Sequence, residues 1–455
     1  MASSLRRNPF IGKPMGSIKC LNRSAIFFLF SFILISTSIA QNTPVVKAAT
    51  KANREKTYNN IVNNSITRNL SLPLNDSTEE NWQDAFYALE LINYKTPWVD
   101  GRVTLAFDSI EKRSAGFQRA LLELCYTNYA AFFSSPIKKL MLTTPYSKIY
   151  ALCAEYLYQS KKITAAAITI ATRKLNFVFE NDSILNPLVN SKIKISPKKT
   201  TAILMELCSN DFLKNNTVLF SFQRSNRNYP GLALIRDSLG NFITDSTGNI
   251  FSVPQLARSM SSLPFYLTNG NTPQGIFRMN GFDVSKSTAI GPTTNIQLMM
   301  PHETSPAYFL KDSTVTDSVW TTALYKRLLT KPCTDYYPLY GSFYAGKAGR
   351  TEIIAHGTTV NPEYYKGQPF YPHTPTEGCL STKEIWSEVD GKRLESNQQK
   401  LVNALIKAGN ANGYSVVIEI DDQQKPVSLK EILPYLKNNN MGKSPPKSGL
   451  PGKKK

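Results

Sequence analysis

The sequence predicts an α+β protein, an all-helical half followed by a strand-rich half, and three observations carry that reading. From Trp82 to Asp211 the apolar residues recur three and four apart, the spacing of one helix face. After Asn210 they alternate, as in strands with one buried face. The chain has 455 residues, too many for one ordinary core, so the change of period reads as a domain boundary. We place a helical domain at 79–213 and a second domain, mostly antiparallel, at 214–437.

In chain order, residues 1–40 read as a secretory signal peptide. Arg6, Arg7, Lys13, Lys19 and Arg23 precede an apolar run over 25–35, and Ser38-Ile39-Ala40 supplies the small-residue cleavage pattern. Met15 is an alternative start that would shorten the basic region. The apolar run is too short to span a bilayer, so the mature protein is expected to be exported, to periplasm or cell envelope, with no integral membrane segment. Residues 41–78, rich in Asn, Ser, Thr and Lys, read as a linker. Asn75 to Glu80 then has the capping residues and acids of a helix start.

Helical runs are expected over 85–92, 117–133, 147–160, 165–179 and 198–208, and strands over 218–223, 232–237, 242–244 and 250–253. Two similar pieces, beginning at Asp237 and Asp245, place Asp and Gly where tight turns need them. A calcium loop would need more carboxylates at alternating positions. Near the C-terminus a helix is expected from about 396 to 408 and a strand over 414–421. Residues 438–455 read as a flexible basic tail.

The formal charge is +20, and removal of residues 1–40 leaves +15. The cations are scattered, and there is no zinc-finger spacing, aromatic–basic RNA signature or Walker glycine loop. Nucleic acid is therefore not an expected partner, and an anionic polymer or surface fits the charge better. Six cysteines become five without Cys20, and an odd count in an oxidising compartment leaves at least one free thiol. Cys125, Cys153 and Cys208 lie in apolar helical runs, as buried thiols or a disulfide among them. Cys379 lies outside such a run.

The stretch from His356 to Cys379 holds two of the three histidines of the chain, with a glycine before the cysteine. The thiolate is the nucleophilic form of cysteine, and an imidazole can take the thiol proton and later return it to a leaving amine. A glycine before the nucleophile permits a sharp turn that aims backbone N–H groups at an oxyanion. His356-Gly357 ends an apolar run, which sets the base at the mouth of a strand. Gly378-Cys379 reads as a turn before a helix.

The order TPQGIF (272–277), then IIAHGT (353–358), then T-x-G-C-L (376–380) resembles the L,D-transpeptidase catalytic domain (YkuD type), over about residues 216–421. The resemblance implies a β-sandwich-like, mostly antiparallel fold with Cys379 as nucleophile and His356 as base. It also implies that the Gly357 carbonyl orients the imidazole, and that Thr376, Glu377 and Gly378 belong to the nucleophile and oxyanion loop. The reaction implied is cross-linking of peptidoglycan stem tetrapeptides through a thioester, with neither metal nor cofactor. A carboxypeptidase or endopeptidase acting on the same stems is one alternative, and a non-catalytic wall-binding or scaffold protein another.

The sequence departs from the family pattern at three points. Glu377 stands where His or Arg is usual, Ser381 where Arg or Asn is common, and the base and nucleophile lie 23 residues apart, a longer interval than usual. Glu377 is open to three readings: a partner of His356 or His373, a binder of a substrate amine, or a solvated carboxylate. His373 either replaces the missing basic residue or is a loop histidine. Tyr364, Tyr365, Phe370 and Tyr371 form a substrate wall or pack their loop down. Lys366 and Arg350 read as surface charges or as contacts for substrate carboxylates. His302 lines the cleft or is structural.

Overall fold

The computed structural model describes residues 43–175 and 182–436. The expected signal peptide at 1–40 and basic tail at 438–455 lie outside the described residues.

Among the described residues, ten strands follow the helical half. They are β1 (Val218–Arg224), β2 (Gly231–Arg236), β3 (Ser252–Gln255), β4 (Gly275–Asp283), β5 (Asn295–Met299), β6 (Ile354–His356), β7 (Leu380–Ser381), β8 (Glu384–Trp386), β9 (Arg393–Ser396) and β10 (Tyr414–Asp421). Eight form one sheet in the order β3-β2-β1-β10-β4-β5-β6-β7, and β8 pairs with β9. Within that sheet only β1–β10 and β6–β7 are parallel pairs. Leu256, just past β3, exchanges backbone hydrogen bonds with Ser381 of β7, both 2.8 Å. The two edges of the sheet therefore meet, and it is nearly closed.

Strand β1 is buried along its whole length, because both faces of the sheet are covered. Phe220 and Phe222 share a core with Leu204 and Leu207 of the helix Pro197–Leu207, while Leu219 shares another with Leu401 and Leu405 of the helix Asn397–Lys407. Burial on both faces explains why the strand reads as a near-continuous apolar run. Local chemistry sets the helix starts. The Ser196 hydroxyl accepts from the Lys199 N–H with Pro197 at the first position, and the Ser396 hydroxyl accepts from the Gln399 N–H at 2.9 Å.

The helical half packs around Trp82, Phe86, Phe117, Leu121, Ile149 and Tyr156. The same core takes in Leu263, Tyr266 and Leu267 from the segment between β3 and β4. Tyr266 donates to the buried Glu155 carboxylate, which also holds Lys192, and the Lys148 ammonium reaches the Thr268 hydroxyl at 3.2 Å. The two halves thus share one interior.

Four expectations change. The span 41–78 is not a linker: it is helical from 51 to 71, with π geometry at Ile61–Arg68. Ile66 and Leu70 are four apart and fully buried in the helical core, and that burial holds a polar helix whose composition resembles a linker. Within the expected helical domain at 79–213, Ile203, Leu204, Leu207 and Cys208 join the core of the sheet rather than the helical core. The periodicity identified the helix but not the core it faces. Residues 380–381 continue as β7 rather than turning into a helix, since Leu380 and Ser381 pair with β6. Residues 242–244 make only isolated bridges, at Phe242 and Thr244. No helix among the described residues is long and apolar enough to cross a membrane.

Candidate active site

The thiol lies where the sheet closes. Cys379 immediately precedes β7, and the parallel register sets Leu380 opposite Ala355 and Ser381 opposite His356. Cys379 is therefore level with Ile354, and His356 stands two residues further along the neighbouring strand, about 6–7 Å by strand rise. The Ile354 N–H points at Sγ from 3.5 Å, and Sγ lies 3.6 Å from the Glu352 carbonyl.

The loop before the thiol is closely tied. Gly378 has φ of +122°, and a Cβ there would lie 2.1 Å from Arg350 Nη2 and 2.7 Å from the Gly270 carbonyl oxygen. Only glycine fits that conformation and that space. The Thr376 hydroxyl accepts from the Gly378 N–H at 3.0 Å and donates to the Cys379 carbonyl at 2.9 Å. The Thr272 hydroxyl, in the TPQGIF segment, donates to the Gly378 carbonyl at 2.8 Å.

On the β6 side, His356 Nδ1 contacts the Gly357 carbonyl. With the proton on Nδ1, Nε2 is the basic nitrogen. Burial lowers the imidazole to about 4, against the raising effect of the Gly357 contact. Desolvation pushes the Cys379 thiol up to about 11, with Glu377 and Glu352 raising it and the Ile354 N–H and Arg350 lowering it. At neutral pH the resting pair is thus thiol and neutral imidazole.

The turn after His356 rests on a carboxyl group that the sequence did not single out. A Cβ at Gly357 would lie 2.2 Å from the Glu384 carboxyl carbon. Glu384 is buried, its pKa raised by desolvation, and it accepts from the hydroxyls of Thr293 at 2.6 Å and Ser396 at 2.5 Å. Trp386 Nε1 donates to the Thr358 carbonyl and Gln398 Nε2 to the Ala355 carbonyl, both at 2.9 Å.

Glu377 is exposed and accepts from the hydroxyl of Tyr87 at 2.8 Å. Tyr87 lies in the helix Glu79–Ile92, so the helical half reaches the loop before Cys379. Burial, then Glu377, raises the Tyr87 phenol well above its ordinary value. No regularity of the sequence links residues 290 apart, and Tyr87 was legible only as a helix-face tyrosine.

The other candidates are placed as follows. His373 is buried, with Nδ1 3.3 Å from the Phe370 carbonyl rather than at the thiol, and burial lowers it to about 4. Tyr365 and Phe370 pack with Leu256 in a small core of their own. Tyr371 is exposed and donates to Glu363 at 2.7 Å. His302 stacks edge-on against Phe343, 4.8 Å between ring centres, and burial lowers it to about 4. Arg350 is not a surface charge: it is buried against Gly378, under the loop before Cys379. Lys366 pairs with Glu363 at the surface. Cys125, Cys153, Cys208 and Cys333 are all buried free thiols, so the disulfide reading of the first three is not met. Among the described residues no group of three or more His, Cys, Asp or Glu side chains is placed to hold a metal.

The chain matches no family model, no curated protein and no solved structure.

Proposed function

We propose that the protein is an exported, cysteine-dependent acyltransferase of L,D-transpeptidase type that cross-links peptidoglycan stem peptides. The observation that carries the reading is the pairing of strands β6 and β7, which sets the thiol of a braced Gly-Cys turn two residues along from His356, whose imidazole is held by the Gly357 carbonyl. The assignment of the sheet half to the β-sandwich-like fold of that family belongs to the same proposal.

In this reading His356 Nε2 takes the Cys379 proton as sulfur attacks the carbonyl carbon between the third stem residue and the terminal D-alanine. The Gly378 N–H is already engaged by Thr376, so the loop's donor to the oxyanion is the Cys379 N–H. The C–N bond breaks, the amine of D-alanine leaves with the proton from His356, and a thioester remains. The amine of a second stem gives its proton to His356, attacks the thioester, and expels the thiolate. With the thiol pushed up to about 11 and the imidazole lowered to about 4, proton transfer in this reading is part of the attack rather than a pre-formed ion pair.

The test is intact mass after incubation with a carbapenem. A covalent adduct is expected on the wild type and none on C379A. H356A should acylate about 10²–10⁴-fold more slowly. A wild type that gains no adduct and leaves stem peptides unchanged is the result that sinks the enzyme reading, leaving a wall-binding role. Shortened but uncross-linked stems would instead make the protein a hydrolase on the same nucleophile.

A further inference from the structure

Arg350 is buried, and its guanidinium reaches three backbone carbonyls: Gly270 at 2.8 Å, Asn271 at 2.9 Å and Phe265. All three belong to the segment that carries Tyr266 and Leu267 into the helical core. The same Nη2 that donates to the Gly270 carbonyl is set against Gly378, where any Cβ would meet it. Arg350 takes part in none of the ion pairs among the described residues. A guanidinium taken out of water without a counter-ion is costly, and carbonyl oxygens offset only part of that. An anion forming on Cys379, the next residue, would supply what the site lacks.

We propose that Arg350 is a positioning residue that braces the nucleophile loop from below and is the fixed cation against which the Cys379 thiolate forms. The charges around the sulfur fit this role. Glu377 in the loop and Glu352 ahead of β6 oppose ionisation, and Arg350 is the charged side chain that favours it. Glu303 faces Arg350, but its oxygens accept from the Met300 and Glu352 N–H groups, and Lys148 across the junction is lowered by burial first, then by Arg119 and Arg350. The cation that position 377 does not provide thus comes from a residue 29 positions before the nucleophile.

The experiment follows alkylation of Cys379 by iodoacetamide against pH, read by mass on the Cys379 peptide so that the four buried thiols do not interfere. R350M should raise the midpoint of the reaction by about one pH unit or more, a tenfold loss of thiolate at fixed pH. R350Q, which keeps amide donors for the carbonyls and removes only the charge, should do the same, and R350K should stay closer to the wild type. A folded R350M or R350Q, by thermal unfolding, with the wild-type midpoint overturns the inference. So does R350K shifting as far as the neutral variants. The inference rests on Cys379 being the nucleophile, but alkylation needs no stem peptide. A shifted midpoint without a carbapenem adduct sinks the transpeptidase reading alone, and an adduct with an unshifted midpoint sinks this inference alone.

Discussion

At the scale of single residues, burial sets the chemistry of the site. His302, His356 and His373 are all lowered to about 4 by desolvation. Their ordinary value is near 6.5, so below that pH the unfolded chain takes up protons that the folded chain refuses. Stability is then fully present above about pH 6.5 and falls progressively toward pH 4. A series of thermal unfolding midpoints should decline across that window, and H373Q, which removes one of the three groups, should flatten the slope. Gly378 is the other sensitive position. G378A places a side chain at φ of +122° against Arg350, and about 1–3 kcal/mol of strain is expected in urea unfolding, with loss of Cys379 alkylation.

At the scale of elements, strand β6, the loop over 357–377 and strand β7 form one continuous unit, so much of the site was legible. His356, Gly357, Thr376, Gly378 and Cys379 sit in a single run of sequence whose local chemistry specifies a strand end and a tight turn. Thr376 closes that turn with two hydrogen bonds. T376V should leave the unfolding midpoint within a few degrees of wild type, since each bond contributes about 1 kcal/mol. It should nonetheless slow carbapenem acylation at least tenfold; an unchanged acylation rate would remove Thr376 from the loop's working parts. Glu384, Tyr87 and Arg350 were not legible in the same way. Each acts on this unit from another element, and nothing in its own neighbourhood distinguishes it from an ordinary strand, helix or loop residue.

At the scale of the whole molecule, the helical half is part of the sheet half's interior. Leu263, Tyr266 and Leu267 are fully buried among helical side chains, and each contributes about 1.5–3 kcal/mol by its burial. Residues 191–436 expressed alone would expose all three and release the segment that Arg350 holds. That fragment is expected to be insoluble, or to unfold without a cooperative transition, whereas the full chain melts as one unit. A soluble fragment with a sharp melt and a reactive Cys379 would show that the shared core is dispensable.

The sequence by itself determined the order of helix and strand, the turns at Asp237 and Asp245, and the run that carries His356 and Cys379. These depend on residues close along the chain, whose spacing and φ preferences act locally. Only the tertiary structure decided that 51–71 is helix, that 197–207 packs on the sheet, that Glu377 meets Tyr87, and that a buried arginine lies beneath the thiol. Those outcomes depend on which surfaces meet. Burial then alters what the same residue does, turning Arg350 from a solvated charge into a buried cation held by backbone carbonyls beside the loop that carries Cys379.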